Sequence, residues 1–199
     1  MAWNTERTRK LLLDAAVEEF SAKGFAGARI DRIAAGAAVN KERIYQYFGN
    51  KEALFDAALL AELDRLADAV PLDGDTPDAL AAYAGDVFDY YVDRPHLARL
   101  LYWEGLERGD HQVPGEQHRR DRYRKKVDAV AGTLGPGGGD DAQQVLLTVI
   151  GLASSWHVLP QLNRMILDDI DPAARRETVV ECVRALAERT AARHRAGRG

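Results

Sequence analysis

Ile30-Asp31-Arg32-Ile33-Ala34-Ala35-Gly36-Ala37-Ala38-Val39-Asn40-Lys41-Glu42-Arg43-Ile44-Tyr45-Gln46-Tyr47-Phe48 reads as two short helices around a tight turn. The spacing predicts a helix over about 30–37 and a second over 41–47. Helices of about two turns do not hold in isolation, so both must pack on a neighbour. Ile30, Ile33, Ala34, Val39, Ile44 and Phe48 supply the apolar face for that packing. The three-residue connection at 37–39 makes the pair cross steeply, which is helix-turn-helix geometry. Asn40 stands where an N-cap belongs. The backbone N–H groups and positive dipole end behind it are then available to phosphate or base. Lys41, Arg43 and Gln46 are expected on the exposed side, with Tyr45 and Tyr47 able to reach along a groove wall.

Upstream, Leu12, Ala16 and Phe20 recur at i, i+4 and i+8, with Leu13 and Val17 beside them, and predict an amphipathic helix over 6–23 ended by Gly24. Downstream, Asn50 caps a long helix expected from 51 to about 70. The cluster PLDGDTP at 71–77 is a turn. Leu80, Tyr83, Ala84, Val87, Phe88 and Tyr91 then repeat at helical spacing. Asp93-Arg94-Pro95 separates that helix from one through Leu97, Leu100, Leu101 and Leu106. A charged helix follows over 119–126, then a glycine-rich break at 135–139. An apolar helix over about 142–158 ends near Pro160, and a final helix opens at Asp171-Pro172 and runs to about 194. The expectation is an all-α chain of about nine helices. It has a three-helix helix-turn-helix domain over 1–50 and a six-helix ligand-binding and dimerisation domain over 51–199.

The 199 residues are 46% hydrophobic and 29% charged, an ordinary globular composition, and one cysteine, Cys182, excludes an intramolecular disulfide. No signal peptide or membrane span is read in the sequence, so a soluble cytoplasmic protein is expected. The net charge of −4 divides unevenly: residues 1–55 hold nine Lys/Arg against seven Asp/Glu, the remainder eighteen against twenty-four. That asymmetry assigns contact with a polyanion to the N-terminal end. The basic run Arg119-Arg120-Asp121-Arg122-Tyr123-Arg124-Lys125-Lys126 lies in the acidic part and reads as a solvated helix face paired with Asp and Glu.

From Thr8 to Phe55 the chain resembles the N-terminal domain of the TetR family of repressors. Phe20-Ser21-Ala22-Lys23-Gly24-Phe25 matches the family's aromatic turn after the first helix. Asn40-Lys41-Glu42-Arg43-Ile44-Tyr45-Gln46-Tyr47-Phe48-Gly49-Asn50-Lys51-Glu52-Ala53-Leu54 matches its recognition helix and the start of the next. The resemblance implies phosphate-positioning roles for Lys41, Tyr45, Tyr47 and Lys51. Arg43 and Gln46 become the candidates for reading base edges, since Arg suits guanine and Gln adenine. Two departures stand out. Ala38 occupies a turn position usually held by glycine, and Ala28-Arg29 replaces the Ser or Thr that opens the second helix. A cap is lost there, although Arg29 can reach phosphate instead.

In the remainder, the helix over 142–158 is apolar on more than one side (Val145, Leu146, Leu147, Val149, Ile150, Leu152). Paired with the last helix across a two-fold axis it would make a four-helix dimer interface. Rings gather on three helices, and an effector pocket is expected from Tyr83, Phe88, Tyr91, Trp103, Trp156 and His157, with Arg99 and Glu104 as charged anchors. Such a pocket suits a small organic or amphipathic effector. Taken alone, His157 reads as a hydrogen-bonded core histidine. No nucleophile–base order, phosphate loop or metal spacing is found, so neither an enzyme nor a cofactor or metal protein is expected. The expected function is a homodimeric repressor released from a palindromic double-stranded DNA operator by its effector. The alternative is a DNA-binding regulator without a small-molecule effector, constitutive or controlled by a protein partner.

Overall fold

The computed structural model describes residues 2–167 and 171–196, and among these the secondary structure is helical throughout. Ten helices follow in order: α1 (Ala2–Gly27), α2 (Ile30–Gly36), α3 (Lys41–Phe48), α4 (Lys51–Ala69), α5 (Pro77–Asp93), α6 (Pro95–Arg108), α7 (Glu116–Leu134), α8 (Gly139–Val158), α9 (Pro160–Ile166) and α10 (Pro172–Ala196). The all-α expectation holds, with one helix more than expected. That helix is α9, which has proline in its first turn and no buried residue, so no apolar period announces it. The charged helix expected over 119–126 extends through α7 because Val130, Thr133 and Leu134 bury its later turns.

The chain forms two compact units, and they do not divide at residue 50: one comprises 1–65 with 96–116, the other 66–95 with 117–199. In the first unit Leu12, Ala16, Val17 and Phe20 of α1 form the buried stripe that their spacing predicts. Phe20 meets Phe55 of α4 edge-on at 5.1 Å, and Phe25 meets Phe55 at 5.6 Å. The break in α1 falls at Gly24, whose φ of 69° and ψ of 173° suit glycine alone. A side chain there would also strike the indole of Trp103, whose Cζ2 would lie 2.9 Å from the added Cβ.

That contact is one of several binding α6 to the helices around it. Arg108 pairs with Asp56 of α4, and His96 Nε2 lies 2.8 Å from Glu62 Oε2, also on α4. Glu62 is fully buried, and its other oxygen pairs with Arg65, which reaches Asp14 of α1 at 2.8 Å. A buried carboxylate is tolerable only when ringed by such donors.

In the second unit α5, α8 and α10 pack together. Thr76 caps α5 through the Ala79 amide at 3.1 Å, and Pro77 occupies the first turn. Arg176 and Arg184 of α10 reach Asp89 and Asp78 of α5, each at 2.7 Å. Asp141 in the first turn of α8 accepts from Arg193 at 2.7 Å and lies 2.8 Å from His194 Nε2, both in α10's last turn. Two of the basic residues of α7 are paired as expected, Arg122 with Asp68 at 2.9 Å and Arg124 with Asp121 at 3.2 Å. Lys126 departs from that pattern. Its ammonium donates to Tyr83 Oη at 2.8 Å and to the Val70 carbonyl at 3.1 Å, and burial followed by repulsion from Arg122 lowers its pKa to about 8.

Candidate nucleic-acid interface and effector site

The turn between α2 and α3 closes through backbone bonds from Ala38 to Ala35 (3.1 Å) and from Val39 to Ala34 (3.0 Å). Ala38 takes φ 52°, the one left-handed residue other than glycine among the described residues. Ala38 thus holds a conformation that glycine adopts freely, at a cost in strain. Ile33, Ala34 and Ile44 are buried, which fixes α3 by its inner face.

Asn40 caps α3, its Oδ1 accepting from the Glu42 amide at 3.4 Å. Lys41, Arg43, Tyr45 and Gln46 all lie exposed on the helix, with Tyr45 52% accessible. Arg43 Nη1 donates to Gln46 Oε1 at 3.4 Å, so the two candidate base readers lie side by side. Lys41 pairs loosely with exposed Asp31 at 3.4 Å, a bond that phosphate can replace at little cost. Tyr47 is half-buried beside Phe48, with ring centroids 6.4 Å apart. Lys51 sits 4.9 Å above the Phe25 ring, and its ammonium donates to the Ala26 carbonyl at 3.5 Å. It therefore also fastens the end of α1 to the start of α4.

Arg29 occupies the N-cap position of α2 and provides no side-chain cap, as the sequence predicts. The Arg29 amide itself finds an acceptor on α1. Glu19 Oε1 accepts the Arg29 backbone N–H at 3.0 Å and lies 3.6 Å from Arg32 Nη1. Sequence reasoning missed Glu19, because its partner lies ten residues away.

The eight expected pocket residues fall into both units. Phe88 lies 6.2 Å from Trp156 and 6.2 Å from His157, and Tyr91 lies 6.2 Å from His157, so four of them cluster in the second unit. Tyr83 is occupied by Lys126. Arg99, Trp103 and Glu104 are on α6 in the first unit, where Trp103 covers Gly24 and Glu104 is buried. His157 is not the hydrogen-bonded core residue that it suggests by itself. Its Nε2 is buried with no hydrogen-bond partner among the described residues, and burial alone lowers its pKa. Among the described residues no three His, Cys, Asp or Glu converge to hold a metal, and no single helix is long and apolar enough to cross a membrane.

A capped, exposed α3 held by its inner face against two other helices defines a helix-turn-helix DNA-binding protein. Residues 12–58 match the bacterial regulatory proteins of the tetR family, and residues 79–185 match the tetracyclin repressor-like C-terminal domain. The chain belongs to the TetR family of DNA-binding transcriptional regulators. It is 39% identical to the HTH-type transcriptional repressor SCO4008 of Streptomyces coelicolor over 189 residues, which cover 88% of this chain and 97% of that protein. It is also 39% identical to the repressor NicS of Pseudomonas putida over 114 residues, 55% of this chain and 54% of that one. Among solved structures, the regulator SCO4942 of Streptomyces coelicolor superimposes with a TM-score of 0.75 at 34% identity, covering 90% and 97% of the two chains.

Proposed function

We propose that the protein is a homodimeric cytoplasmic repressor that grips a palindromic operator and is released by a small organic effector. The observation that carries the reading is the exposed α3 surface. Asn40 caps it, Arg43 and Gln46 are paired across it, and Lys41 and Tyr45 stand beside them. Lys41, Tyr45, Tyr47 and Lys51 position phosphates in this reading, with Arg29 at the head of α2, while Arg43 and Gln46 read base edges. The relatives named as repressors support the sign of regulation.

The dimer uses α8 and α10. These two helices pack against each other, yet Leu147 of α8 stays 66% exposed and Cys182 of α10 is exposed, so both helices keep an outward face. Two recognition helices then address successive major grooves about 34 Å apart. The effector occupies the second unit at the Phe88–Tyr91–Trp156–His157 cluster. Its signal passes along α4, which carries the partners of His96 and Arg108 and leads into Val70, the carbonyl that Lys126 holds. A bias of about 1–3 kcal/mol between the DNA-competent and released states changes occupancy 5–150-fold.

The experiment is selection of bound sequences from random DNA by the purified protein at stated salt. A two-fold symmetric consensus is expected, and no enrichment over the starting pool would overturn specific operator binding.

A further inference from the structure

Four aromatic or heteroaromatic side chains meet where α8 ends: Phe88 and Tyr91 from α5, Trp156 and His157 from α8. Phe88 and Tyr91 are 1% exposed and form a floor, whereas Trp156 and His157 remain half-accessible. Within this apolar surround His157 Nε2 is buried without a partner. A ring nitrogen left so loses its water without compensation, and folded proteins keep such groups rare. A structural account of the nitrogen would need an acceptor or donor from the protein, and none of the described residues supplies one.

We propose that His157 Nε2 is the polar anchor of the effector site. The effector class is then an uncharged planar aromatic molecule bearing a hydroxyl, its rings against Phe88 and Trp156 and its hydroxyl on the histidine. The proposal rests on the effector reading above and names the chemistry of that site.

Charge and tautomer narrow the class. Burial is the one cause that lowers the His157 pKa, with no charged group contributing, so the imidazole is neutral at pH 7. A neutral imidazole presents either a lone pair or an N–H at Nε2, and a hydroxyl can meet both. Asp89 pairs with Arg176 at 2.7 Å, and Arg175 donates to Ser155 Oγ at 3.4 Å. The neutral imidazole offers a charged ligand no ion pair in exchange for its desolvation.

Access follows from α9. The Asn163 side-chain amide donates to the Trp156 carbonyl at 2.8 Å, which clips α9 beside the cluster. Helix α9 itself buries no residue.

The test is calorimetric titration of the full-length protein with 2-naphthol and with naphthalene, which lacks only the hydroxyl. Wild type is expected to bind 2-naphthol about tenfold more tightly. H157F is expected to erase that preference while still binding naphthalene, and H157Q to retain most of it. In wild type, the His157 side-chain ¹⁵N resonance, assigned by its loss in H157Q, should move with 2-naphthol and stay unmoved with naphthalene. Equal binding of the two probes to wild type, a preference that survives H157F, or a motionless resonance would each overturn the anchor while leaving an aromatic effector site in place. Failure of both probes to bind would remove that site, and with it the effector reading.

Discussion

Ala38 holds φ 52° in a turn that glycine would occupy without strain. An alanine in the left-handed region costs about 1–2 kcal/mol. A38G should therefore raise stability by about 1 kcal/mol, less the extra chain entropy of glycine, as read from the chemical denaturation midpoint. A drop in midpoint would mean that the turn is not strained. Across the turn, Arg43 and Lys51 should separate by readout. R43A is expected to relax preference at one base position by about 1–3 kcal/mol in binding to a set of operator variants, because a base contact is lost. K51A should weaken all sequences alike and flatten the salt dependence. It should also lower stability slightly, since Lys51 is fastened to the Phe25 ring and the Ala26 carbonyl. Equal behaviour of the two variants on every sequence would refute the division of labour.

At the scale of helices, the junction of α1 with α2 depends on the Glu19 carboxylate, which accepts the backbone N–H of the uncapped Arg29. E19A should cost about 1 kcal/mol, the worth of one hydrogen bond, whereas a Ser at position 29 accepts from amides further into α2 and should add stability whether or not Glu19 is present. Equal gains from R29S in the wild-type and E19A backgrounds, followed by thermal denaturation, are expected, and a gain confined to one background would contradict two separate contacts. The helix α7 answers to pH. Burial of the Lys126 ammonium lowers its pKa to about 8, against 10.5 for the open chain. Between those values the unfolded chain binds more protons, so folding stability rises with pH. The cost of burying the charge is present in full below pH 8 and fades above it. Tyr83 works the other way, because burial keeps its hydroxyl protonated after the unfolded chain ionises above pH 10. The clean window is therefore pH 8–10, in which wild type should gain stability relative to K126M. Parallel pH profiles would contradict the buried amine.

These same helices show what the amino-acid order makes legible. Leu12, Ala16, Phe20, Ile33, Ala34 and Ile44 announce the core of the helix-turn-helix because their periods match the faces that they bury. Asn40 and Asn50 are legible as caps because a cap acts within three residues; Asn50 accepts from the Ala53 amide at 2.8 Å. Helix α9 is hidden because it buries nothing. The placement of Trp103 is hidden for a different reason. It follows from α6 docking through His96–Glu62 and Arg108–Asp56, pairs separated by 34 and 52 residues that leave no local period. Of the expected pocket residues, Phe88, Tyr91, Trp156 and His157 come together because α5 and α8 bring their own rings side by side.

For the whole molecule, the exposed Leu147 is the residue on which the dimer proposal turns. A buried aliphatic contact at an interface centre is worth about 2 kcal/mol when lost. L147E should therefore raise the dimer dissociation constant at least thirtyfold in sedimentation, with a parallel loss of operator affinity. An unchanged sedimentation profile would move the interface elsewhere.

The docking of α6 also bears on how such a regulator can be recombined. The DNA-reading unit is assembled from two stretches of chain, 1–65 and 96–116, with 30 residues of the second unit threaded between them. A cut at residue 50, the domain boundary expected from the sequence, leaves Phe20 without Phe55 and removes the indole that covers Gly24. Specificity in this chain is thus not a cassette that can be transplanted by one crossover near the N-terminus. A functional graft must carry α6 with the recognition helix or bring a host helix that already fits Gly24, Asp56 and Glu62, and heredity by simple domain shuffling faces the same constraint.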